Sequence, residues 1–413
     1  MAVGLVHYSG PPTIGGVEST IANQARFLAA AGYAPTVIVG AGQAFDENVR
    51  LHLVPRMSSS HPQVLAVKSQ LDAGRLTPAF EELRASLREE LRQATGGLQA
   101  LIVHNVMSLH KNLALTSAIH DLWSERAWPK LIAWQHDLAW DRRDYTRELH
   151  PGEPWGLLRV AWPGVDQVVV SDSVRDRWAA LTQQPRQAIH VVPPGVDPAV
   201  FGRWTDQTTH IFSSLALEFA DIILLMPSRV TRRKNIEFGI EIVAAMRRDS
   251  GQDVRLLITG PPGPHNPRNP AYLEELLEIR RSLRLEMAVH FLFRLEPEEP
   301  EPLGDATVAD LFQLSDGLLF PSLDEGFGIP ILEAGLARLP VFCSDIPALR
   351  ETGGLDVVRF QLDASAAEVA ATILGALAAD PTYRLRRRVM ASYTWSQLLR
   401  RRLLPLLEAD AGG

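Results

Sequence analysis

Two glutamates, Glu325 and Glu333, flank a glycine-containing turn in the stretch EGFGIPILE. Each carboxylate can accept two hydrogen bonds, and a sugar diol offers two donors at a matching separation. The backbone of Gly326–Gly328 can approach a ligand closely because glycine carries no side chain. Pro330 suits the first turn of a helix, which would place Glu333 in that turn. The spacing predicts two diol contacts, to a ribose and to a hexose, unless Glu333 only complements the helix dipole and Glu325 is solvated.

A second candidate site lies in PSRVTRRKN, where a short loop separates Arg229 from Lys234. The loop follows a predicted strand and precedes a predicted helix, so two cations and a helix N-terminus converge there. Such a site suits an anion, and a diphosphate would fit it. Arg232 and Arg233 show that not every cation in the loop is a ligand, so a solvated basic turn is the alternative.

Two further candidates lie in the first half of the chain. Gly15 and Gly16 open the first long predicted helix, and their backbone N–H groups could hold a phosphate, although glycine-rich turns are common there. His136 and Asp137, in LIAWQHDLAW, end a predicted strand. A histidine at such a point could hydrogen-bond a substrate or act as acid or base, and a structural histidine is the alternative.

The elements that would position these residues alternate between short β-branched runs and helical patterns, which is typical of βαβ units and parallel sheets. The predicted strands are Val3–His7, Pro35–Val39, Val49–Val54, Leu101–His104, Leu131–Gln135, Gln167–Val170, His190–Val192, Ile222–Met226, Val254–Thr259, Val289–Phe293, Gly317–Phe320, Val341–Ser344 and Val357–Phe360. The predicted helices are Gly16–Ala31, Thr77–Ala94, Ile236–Arg247, Tyr272–Arg281, Val308–Leu314, Ile331–Ala337 and Ala366–Ala378. Each candidate site follows a strand, where open α/β sheets bind their ligands.

This pattern predicts an α/β protein of two doubly wound, Rossmann-like domains in series. The boundary is expected between VVPPGVDPAVFGRW and DIILLMPSRV, where prolines and a glycine end one strand series and Asp221 opens the next. We expect an N-terminal domain over 1–205, a C-terminal domain over 206–390, and an amphipathic helix over 391–413. Two such domains facing each other would form a cleft at the carboxyl ends of both sheets.

Composition restricts the class of protein. The 413 residues include 48 acidic and 41 basic side chains, and the formal charge of −7 argues against a nucleic-acid binder. Cys343 is the only cysteine, so intrachain disulfides and multi-cysteine metal sites are excluded, and a cytoplasmic location fits best. The N-terminus lacks a signal-peptide pattern, and no run of about 18 apolar residues predicts a transmembrane helix.

Several motifs together resemble the family 4 glycosyltransferases. The resemblance is carried by EGFGIPILE, a Glu-x7-Glu motif, by PSRVTRRKN, an Arg…Lys motif, by IGGVE and by QHD. VVVSDSVRD, HVVPPGVDPAVF and SDIPALRET are smaller similarities, so the resemblance spans nearly the whole chain. It implies retaining enzymes with the GT-B fold, in which two facing Rossmann-like domains enclose a cleft and a C-terminal helix crosses back to the N-terminal domain.

The resemblance implies a role for each candidate of the C-terminal half. Arg229 and Lys234 would bind the donor diphosphate and stabilise the departing nucleotide. Glu333 would hold the ribose hydroxyls. Glu325 would contact the hexose, beside the backbone of Phe327–Gly328.

In the N-terminal half, the resemblance implies that Gly16 gives an amide to the phosphate and that His136 lies near the reactive face of the sugar. For the acceptor side no family residue can be transferred, and His104 and Asn105, at a strand end, are candidates. The loop TGPPGPHNPRNPAYLEEL is longer than in many members. It either shapes the nucleotide pocket or is a surface insertion.

The partners implied are a nucleotide-diphosphate sugar, GDP-mannose or UDP-glucose first, and an acceptor left open between a small metabolite, a lipid carrier and a saccharide. In such enzymes the leaving diphosphate deprotonates the acceptor on the same face of the sugar, so no metal and no further cofactor are expected. The basic clusters Arg386–Arg388 and Arg400–Arg402 could touch an anionic membrane surface, but solvated helix faces are favoured.

Three other hypotheses remain. A sugar-nucleotide epimerase would share the two-domain architecture. A catalytically silent GT-B protein is disfavoured because it would not need both glutamates and both cations. An NAD(P)-dependent oxidoreductase is suggested only by VIVGAGQAF, where Phe45 replaces the third glycine and a strand soon resumes.

Overall fold

The structure is a computed structural model that describes residues 1–125, 128–295 and 303–409, arranged in two compact units. One unit comprises Met1–Asp197 and the C-terminal segment from Tyr393, and the other comprises Pro198–Ser392. The sequence placed the boundary after residue 205. It lies earlier because Thr205 packs with the second unit, where its backbone N–H donates to Asp310 Oδ2 at 2.8 Å.

The first unit is built on a parallel seven-stranded sheet. Its strands are β1 (Ala2–His7), β2 (Ala34–Val39), β3 (Arg50–Leu53), β4 (Ala100–His104), β5 (Lys130–Gln135), β6 (Asp166–Val169) and β7 (Ile189–Val191). Its helices up to residue 197 are α1 (Gly16–Ala30), α2 (Pro62–Asp72), α3 (Pro78–Ala94), α4 (Leu113–Ser124) and α5 (Asp172–Thr182). The strand order is β3-β2-β1-β4-β5-β6-β7.

Both faces of this sheet are covered, as alternation along its strands requires. In β1, Val6 faces a core that includes Leu83 of α3, whereas Leu5 faces a core that includes Ile21 of α1. Helix α1 buries Ile21, Ala25 and Leu28, three of the four positions whose helical spacing identified it in the sequence.

The second unit contains a parallel six-stranded sheet. Its strands are β8 (Ile222–Met226), β9 (Val254–Ile258), β10 (Val289–Phe291), β11 (Gly317–Phe320), β12 (Val341–Ser344) and β13 (Val358–Phe360). Its helices are α6 (Pro198–Gly202), α7 (Asp206–Ser214), α8 (Ile236–Ser250), α9 (Asn269–Ser282), α10 (Asp305–Leu314), α11 (Ile329–Ala337), α12 (Pro347–Gly353), α13 (Ala366–Ala379) and α14 (Pro381–Ser392). The strand order is β10-β9-β8-β11-β12-β13.

The C-terminal segment packs on the first unit. It forms α15 (Trp395–Leu398) and α16 (Leu404–Glu408), with a π-helical turn over Leu399–Leu403 between them. Its leucines join the core beside α1, while the arginines of the basic cluster 400–402 are exposed. No helix in the described ranges combines the length and the hydropathy needed to cross a bilayer.

The two doubly wound α/β units confirm the predicted fold class. All thirteen predicted strands are present, with ends within two residues of those expected. In each sheet the strand order reverses beside the first strand of the unit, between β1 and β4 and between β8 and β11. Such reversals leave a crevice at the carboxyl ends of the strands, which is where open α/β sheets bind ligands. The cleft between the units stays a prediction.

Candidate active site

Two loops at the carboxyl edge of the second sheet form one part of the candidate site. The cation loop, Pro227–Asn235, follows β8, and the glutamate loop, Pro321–Gly328, follows the adjacent strand β11. The backbone N–H of Leu323 donates to the carbonyl oxygen of Arg233 at 2.8 Å. The loops are therefore tied together at the reversal of strand order.

Glu325 is bound by two cations of the cation loop. The Lys234 ammonium donates to Oε1, and Arg233 Nη1 donates to Oε2 at 2.8 Å. The side chains of Glu325 and Lys234 are only 7% and 11% exposed. Burial acts to raise the pKa of Glu325, but the hydrogen bond and charge of Lys234 outweigh it and the pKa lies below its ordinary value. Glu325 is thus a buried, ionised carboxylate and not a solvated loop residue.

Arg229 and Lys234 line one cavity of about 550 Å³, a volume typical of small-molecule sites. Arg229 is exposed, and within the described ranges it forms no ion pair. Ser228 and Thr231 also line this cavity. Their hydroxyl groups are buried and have no hydrogen-bond partner among the residues that the structure describes. An unpaired cation beside unsatisfied hydroxyls is the arrangement expected of an anion site.

The loop between β9 and α9 borders the same cavity. Its contributions to the wall are Gly263, Pro264, His265, Asn266 and Asn269. Asn269 is buried, and its Nδ2 donates to the carbonyl oxygen of Gly263 at 2.6 Å, which holds the loop in place. Of the two interpretations of this long loop, the structure supports the one in which it shapes a pocket.

Glu333 does not lie where the sequence placed it. Helix α11 begins at Ile329, so Glu333 is its fifth residue and lies in the second turn, whereas the first turn was predicted. The helix starts early because Gly328, with a left-handed φ of 95°, ends the loop and Pro330 occupies the second helical position. Glu333 is exposed and lines a cavity of about 800 Å³ formed by α10 and α11.

The turn between the two glutamates has a fixed backbone. Gly328 cannot be replaced without strain, because its φ is left-handed and a Cβ there would lie 2.7 Å from Leu349 Cδ2. The carbonyl oxygen of Phe327 accepts a hydrogen bond from Thr352 of α12. At Gly326 nothing lies within 4 Å of the position of a Cβ, so its backbone is open to a ligand.

In the first unit, Gly16 opens α1 and Gly15 is its extended N-cap, as predicted. The Glu18 side chain folds back to this helix end, where its carboxylate touches the position that a Gly15 side chain would take. Ser9 Oγ donates to Glu18 Oε1 at 2.6 Å. A carboxylate therefore already complements the helix dipole, and a phosphate at these amides would require Glu18 to move.

Three histidines meet at the carboxyl edge of the first sheet. His7 ends β1, His104 ends β4 and His136 follows β5, and these strands are neighbours. His104 Nδ1 lies 3.1 Å from His136 Nε2, and His7 Nδ1 donates to the carbonyl oxygen of His104 at 2.8 Å. Asn105, with φ of 58°, accepts the backbone N–H of His136 at its Oδ1 over 2.7 Å. The strand order thus brings together residues far apart in the chain.

Burial keeps these imidazoles neutral. It lowers the pKa of His136 to about 3, and repulsion between protonated His136 and protonated His7 would lower it further. It also lowers the pKa of His104 well below 6.5, and the same repulsion from His136 and His7 contributes. At neutral pH, His136 is therefore an uncharged imidazole that donates at one nitrogen and accepts at the other. The adjacent Asp137 forms an ion pair with Arg142 at 3.0 Å.

The segment GAG after β2 is not a dinucleotide-binding turn. Residues 40–49 form no helix before β3 begins. A Cβ on Gly40 would collide with the backbone of Ser58, so close approach of two chain segments accounts for this glycine. The oxidoreductase hypothesis loses its support.

Among the described residues, one group of side chains has the spacing of metal ligands, namely Asp72, His110 and Glu148. The Lys68 ammonium donates to Asp72 at 2.6 Å and to Glu148 at 2.8 Å, so a cation of the protein already binds both carboxylates. We assign no metal to this cluster.

Two models of known protein families match this chain. The model described as "Glycosyltransferase Family 4" matches residues 14–200, and "Glycosyl transferases group 1" matches residues 208–393. The chain belongs to the family 4 glycosyltransferases. The resemblance read from the Glu-x7-Glu and Arg…Lys motifs is confirmed.

Individual relatives of this family 4 glycosyltransferase are distant. A mannosylglucosylglycerate synthase of Petrotoga mobilis is 26% identical over 62% of this chain, and the match spans 61% of that relative's length. A D-inositol 3-phosphate glycosyltransferase of Corynebacterium urealyticum is 26% identical over 75% of this chain and 72% of its own. A solved glycosyltransferase from Rickettsia africae, at 14% identity, covers 99% of both chains with a TM-score of 0.36.

The sequence did not single out two residues that lie close to His104 and His136 in the first unit, His7 and Gln24. His7 was not proposed, although it follows the rule that singled out His136, since it is a polar residue at the carboxyl end of a strand. Gln24 carried no signal, because a polar residue inside a helical pattern is usually exposed. It is fully buried, and its Oε1 lies 3.0 Å from His104 Nε2.

Mild acid is expected to destabilise the first unit of this glycosyltransferase through His136. Its folded pKa of about 3 lies below the ordinary 6.5, so the unfolded chain binds the proton more readily between these values. The stability it contributes is complete above pH 6.5 and is lost as the pH falls toward 3, by about 2 kcal/mol between pH 7 and pH 5. The variant His136→Gln should lack this part of the pH dependence.

Urea unfolding at pH 7 and pH 5, followed by tryptophan fluorescence, measures this difference. Of the nine tryptophans only Trp204 lies outside the first unit, so the remaining eight report on it. His190→Gln, at an exposed position in β7, serves as the control and should keep the wild-type pH dependence. An unchanged pH dependence in His136→Gln would contradict the buried, neutral state of His136.

Proposed function

We propose that this protein is a retaining glycosyltransferase that moves a hexose from a nucleotide-diphosphate sugar to an acceptor hydroxyl. The observation that carries the proposal is the cavity in which Arg229 and Lys234 stand beside the unpartnered hydroxyls of Ser228 and Thr231. This set of groups suits the two phosphates of such a donor. Membership of the family supports the same conclusion. GDP-mannose and UDP-glucose are the donors that we favour.

In the proposed reaction the bond between the anomeric carbon and the diphosphate oxygen breaks, and a bond to the acceptor oxygen forms on the same face of the sugar. The acceptor proton passes to the departing diphosphate, so no side chain has to act as the base. Arg229 and Lys234 stabilise the negative charge that develops on the diphosphate. Because these cations are preorganised, we propose that the reaction needs no metal ion.

The two glutamates are assigned to different hydroxyl groups. Glu333, exposed on α11, is proposed to accept hydrogen bonds from the ribose, although it lines a different cavity from Arg229 and Lys234. Glu325 is proposed to contact the hexose, and its charge is held by Lys234 and Arg233. In the first unit, His136 is proposed to contact a hydroxyl of the sugar.

The acceptor is proposed to be a small polar molecule. The support is limited to the names of two relatives, which refer to mannosylglucosylglycerate and to D-inositol 3-phosphate. Transfer to a lipid-linked sugar or to an oligosaccharide, and not to a small polyol or sugar phosphate, would identify a lipid carrier or a saccharide as the acceptor instead.

Pure protein is expected to hydrolyse, or to transfer sugar from, one member of a panel of labelled GDP and UDP sugars. EDTA should change the rate less than about twofold, because the positive charge at the diphosphate comes from side chains. The panel is repeated with small polyols, sugar phosphates, lipid-linked sugars and oligosaccharides as acceptors. Failure of every donor to bind or react would contradict the donor class. Loss of activity in EDTA that Mg²⁺ restores would contradict the metal-independent mechanism. Release of an epimerised sugar without transfer would identify an epimerase instead.

A further inference from the structure

A hydrogen-bonded chain of three side chains leads from the interior of the first unit to His136. Gln24 Oε1 lies 3.0 Å from His104 Nε2, and His104 Nδ1 lies 3.1 Å from His136 Nε2. Gln24 and His104 are fully buried. His136 Nδ1 has no hydrogen-bond partner among the described residues and does not belong to the buried, unsatisfied atoms. The chain therefore begins inside the core and ends at an accessible nitrogen.

The direction of the hydrogen bonds follows from the first member. The Gln24 amide turns its oxygen toward His104, while its Nε2 is buried without a partner among the described residues. In this orientation the amide oxygen only accepts, so the proton between Gln24 and His104 belongs to His104 Nε2. A neutral imidazole has one N–H, so His104 Nδ1 carries no proton. It accepts a hydrogen bond from the N–H at His136 Nε2. His136 Nδ1 then presents a lone pair. Burial, which lowers the pKa of both histidines, keeps them in the neutral form that this logic requires.

We propose that Gln24 and His104 are positioning residues that hold His136 in its Nε2–H tautomer, so that Nδ1 accepts a hydrogen bond from a substrate hydroxyl. The group that faces His136 is then a sugar or acceptor hydroxyl and not a phosphate or carbonyl oxygen, which would need a donor. This inference rests on the proposed function for the identity of the substrate. The tautomer itself does not depend on it.

The direct test is nuclear magnetic resonance of protein labelled with ¹⁵N in its histidine rings, with His136→Gln used to assign the signals of His136. The Nε2–H tautomer is expected in the wild type. Gln24→Glu places a carboxylate against His104 and favours its imidazolium, which donates at both nitrogens, so this variant should shift His136 toward the Nδ1–H tautomer. Gln24→Leu removes the acceptor and should give a mixture of the two tautomers.

The kinetic test uses the same variants. Gln24→Leu is expected to lower kcat about tenfold with little change in KM for the donor, as for the loss of one oriented hydrogen bond. Gln24→Glu should lower kcat at least as much, because His136 Nδ1 then carries a proton and cannot accept from the hydroxyl. Thr20→Val is the matched control, because Thr20 is buried on the same helix and its hydroxyl bonds only to the carbonyl oxygen of Gly16. That variant should keep both the rate and the tautomer of the wild type.

An Nδ1–H tautomer in wild-type protein, or an unchanged tautomer in Gln24→Leu, would overturn the inference. A wild-type rate in Gln24→Leu with an altered tautomer would overturn the role in substrate binding. Absence of any transferase activity, together with the expected tautomer, would instead count against the proposed function and leave the arrangement of Gln24, His104 and His136 intact.

Discussion

Replacing Lys234 by alanine is expected to lower kcat/KM for sugar transfer by about 1,000-fold, since one preorganised charge at a developing anion is worth this much. The two arginines that precede it in the loop cannot take its place. Arg233 is bound by Glu325, and Arg232 forms a hydrogen bond to Glu275 at 2.6 Å. The rate with the preferred sugar nucleotide, and the thermal shift produced by the nucleoside diphosphate, measure the effect.

The same substitution affects stability less than it affects catalysis. Glu325 would remain buried with Arg233 as its partner, so the loss in the free energy of unfolding should stay below about 3 kcal/mol, the lower end for a fully broken buried pair. Arg232→Ala is the comparison in the same loop. Arg232 also lines the cavity, but its guanidinium is bound by the exposed Glu275, so this variant should change kcat/KM less than about twofold. Wild-type turnover in Lys234→Ala would contradict the role of the cation loop.

Replacing Glu325 by glutamine should separate binding of the nucleotide from turnover. The change removes the negative charge that Lys234 and Arg233 now neutralise, so both cations become available to a diphosphate. We expect the nucleoside diphosphate to bind several-fold more tightly, while kcat falls about 100-fold because the contact to the hexose is weakened. Titration calorimetry with the nucleoside diphosphate and steady-state kinetics with the full donor measure the two effects.

Asp324→Asn tests whether any loss of negative charge in this loop has the same result. Asp324 is exposed and adjacent to Glu325, and the hydrogen bond it receives from Arg233 is made by its backbone carbonyl. This variant should keep wild-type affinity and kcat. If Glu325→Gln bound the nucleoside diphosphate more weakly, the ion pair would be part of the binding site and not a competitor of the ligand.

The structure groups three of the four residues predicted for the site of the second unit, whereas Glu333 lines a different cavity, and the sequence did not predict their contacts. Arg229, Lys234 and Glu325 were identified because each follows a strand, and the structure places Arg229 and Lys234 in one cavity with Glu325 bound to Lys234. The helix that carries Glu333 begins two residues earlier than predicted, since the left-handed Gly328 that precedes it has no signature that distinguishes it from Gly326. A solvated Glu325 also remained open, because the sequence does not reveal burial of a charge.

Some helices were missed for a related reason. Helix α4, Leu113–Ser124, buries almost all of its first turns, so its sequence lacks the apolar and polar alternation on which the prediction depended. Helix α2, Pro62–Asp72, was also missed, although its three buried residues, Val64, Val67 and Leu71, have helical spacing. Strands were predicted well because short runs of β-branched and apolar residues bounded by turn residues are too short for most helices.

The sequence by itself determined the two α/β units, the family, and the placing of polar residues at strand ends, because apolar periodicity and local motifs act over a few residues. Tertiary structure decided which of these residues meet. Lys234 and Glu325 are 91 positions apart, and His104 and His136 are 32 apart. Each pair is brought together by strand order and register, which depend on the packing of the whole sheet. The ionised pair, the neutral histidines and the buried Gln24 follow from that packing, since burial, neighbouring charges and hydrogen bonds together set the protonation state of a side chain.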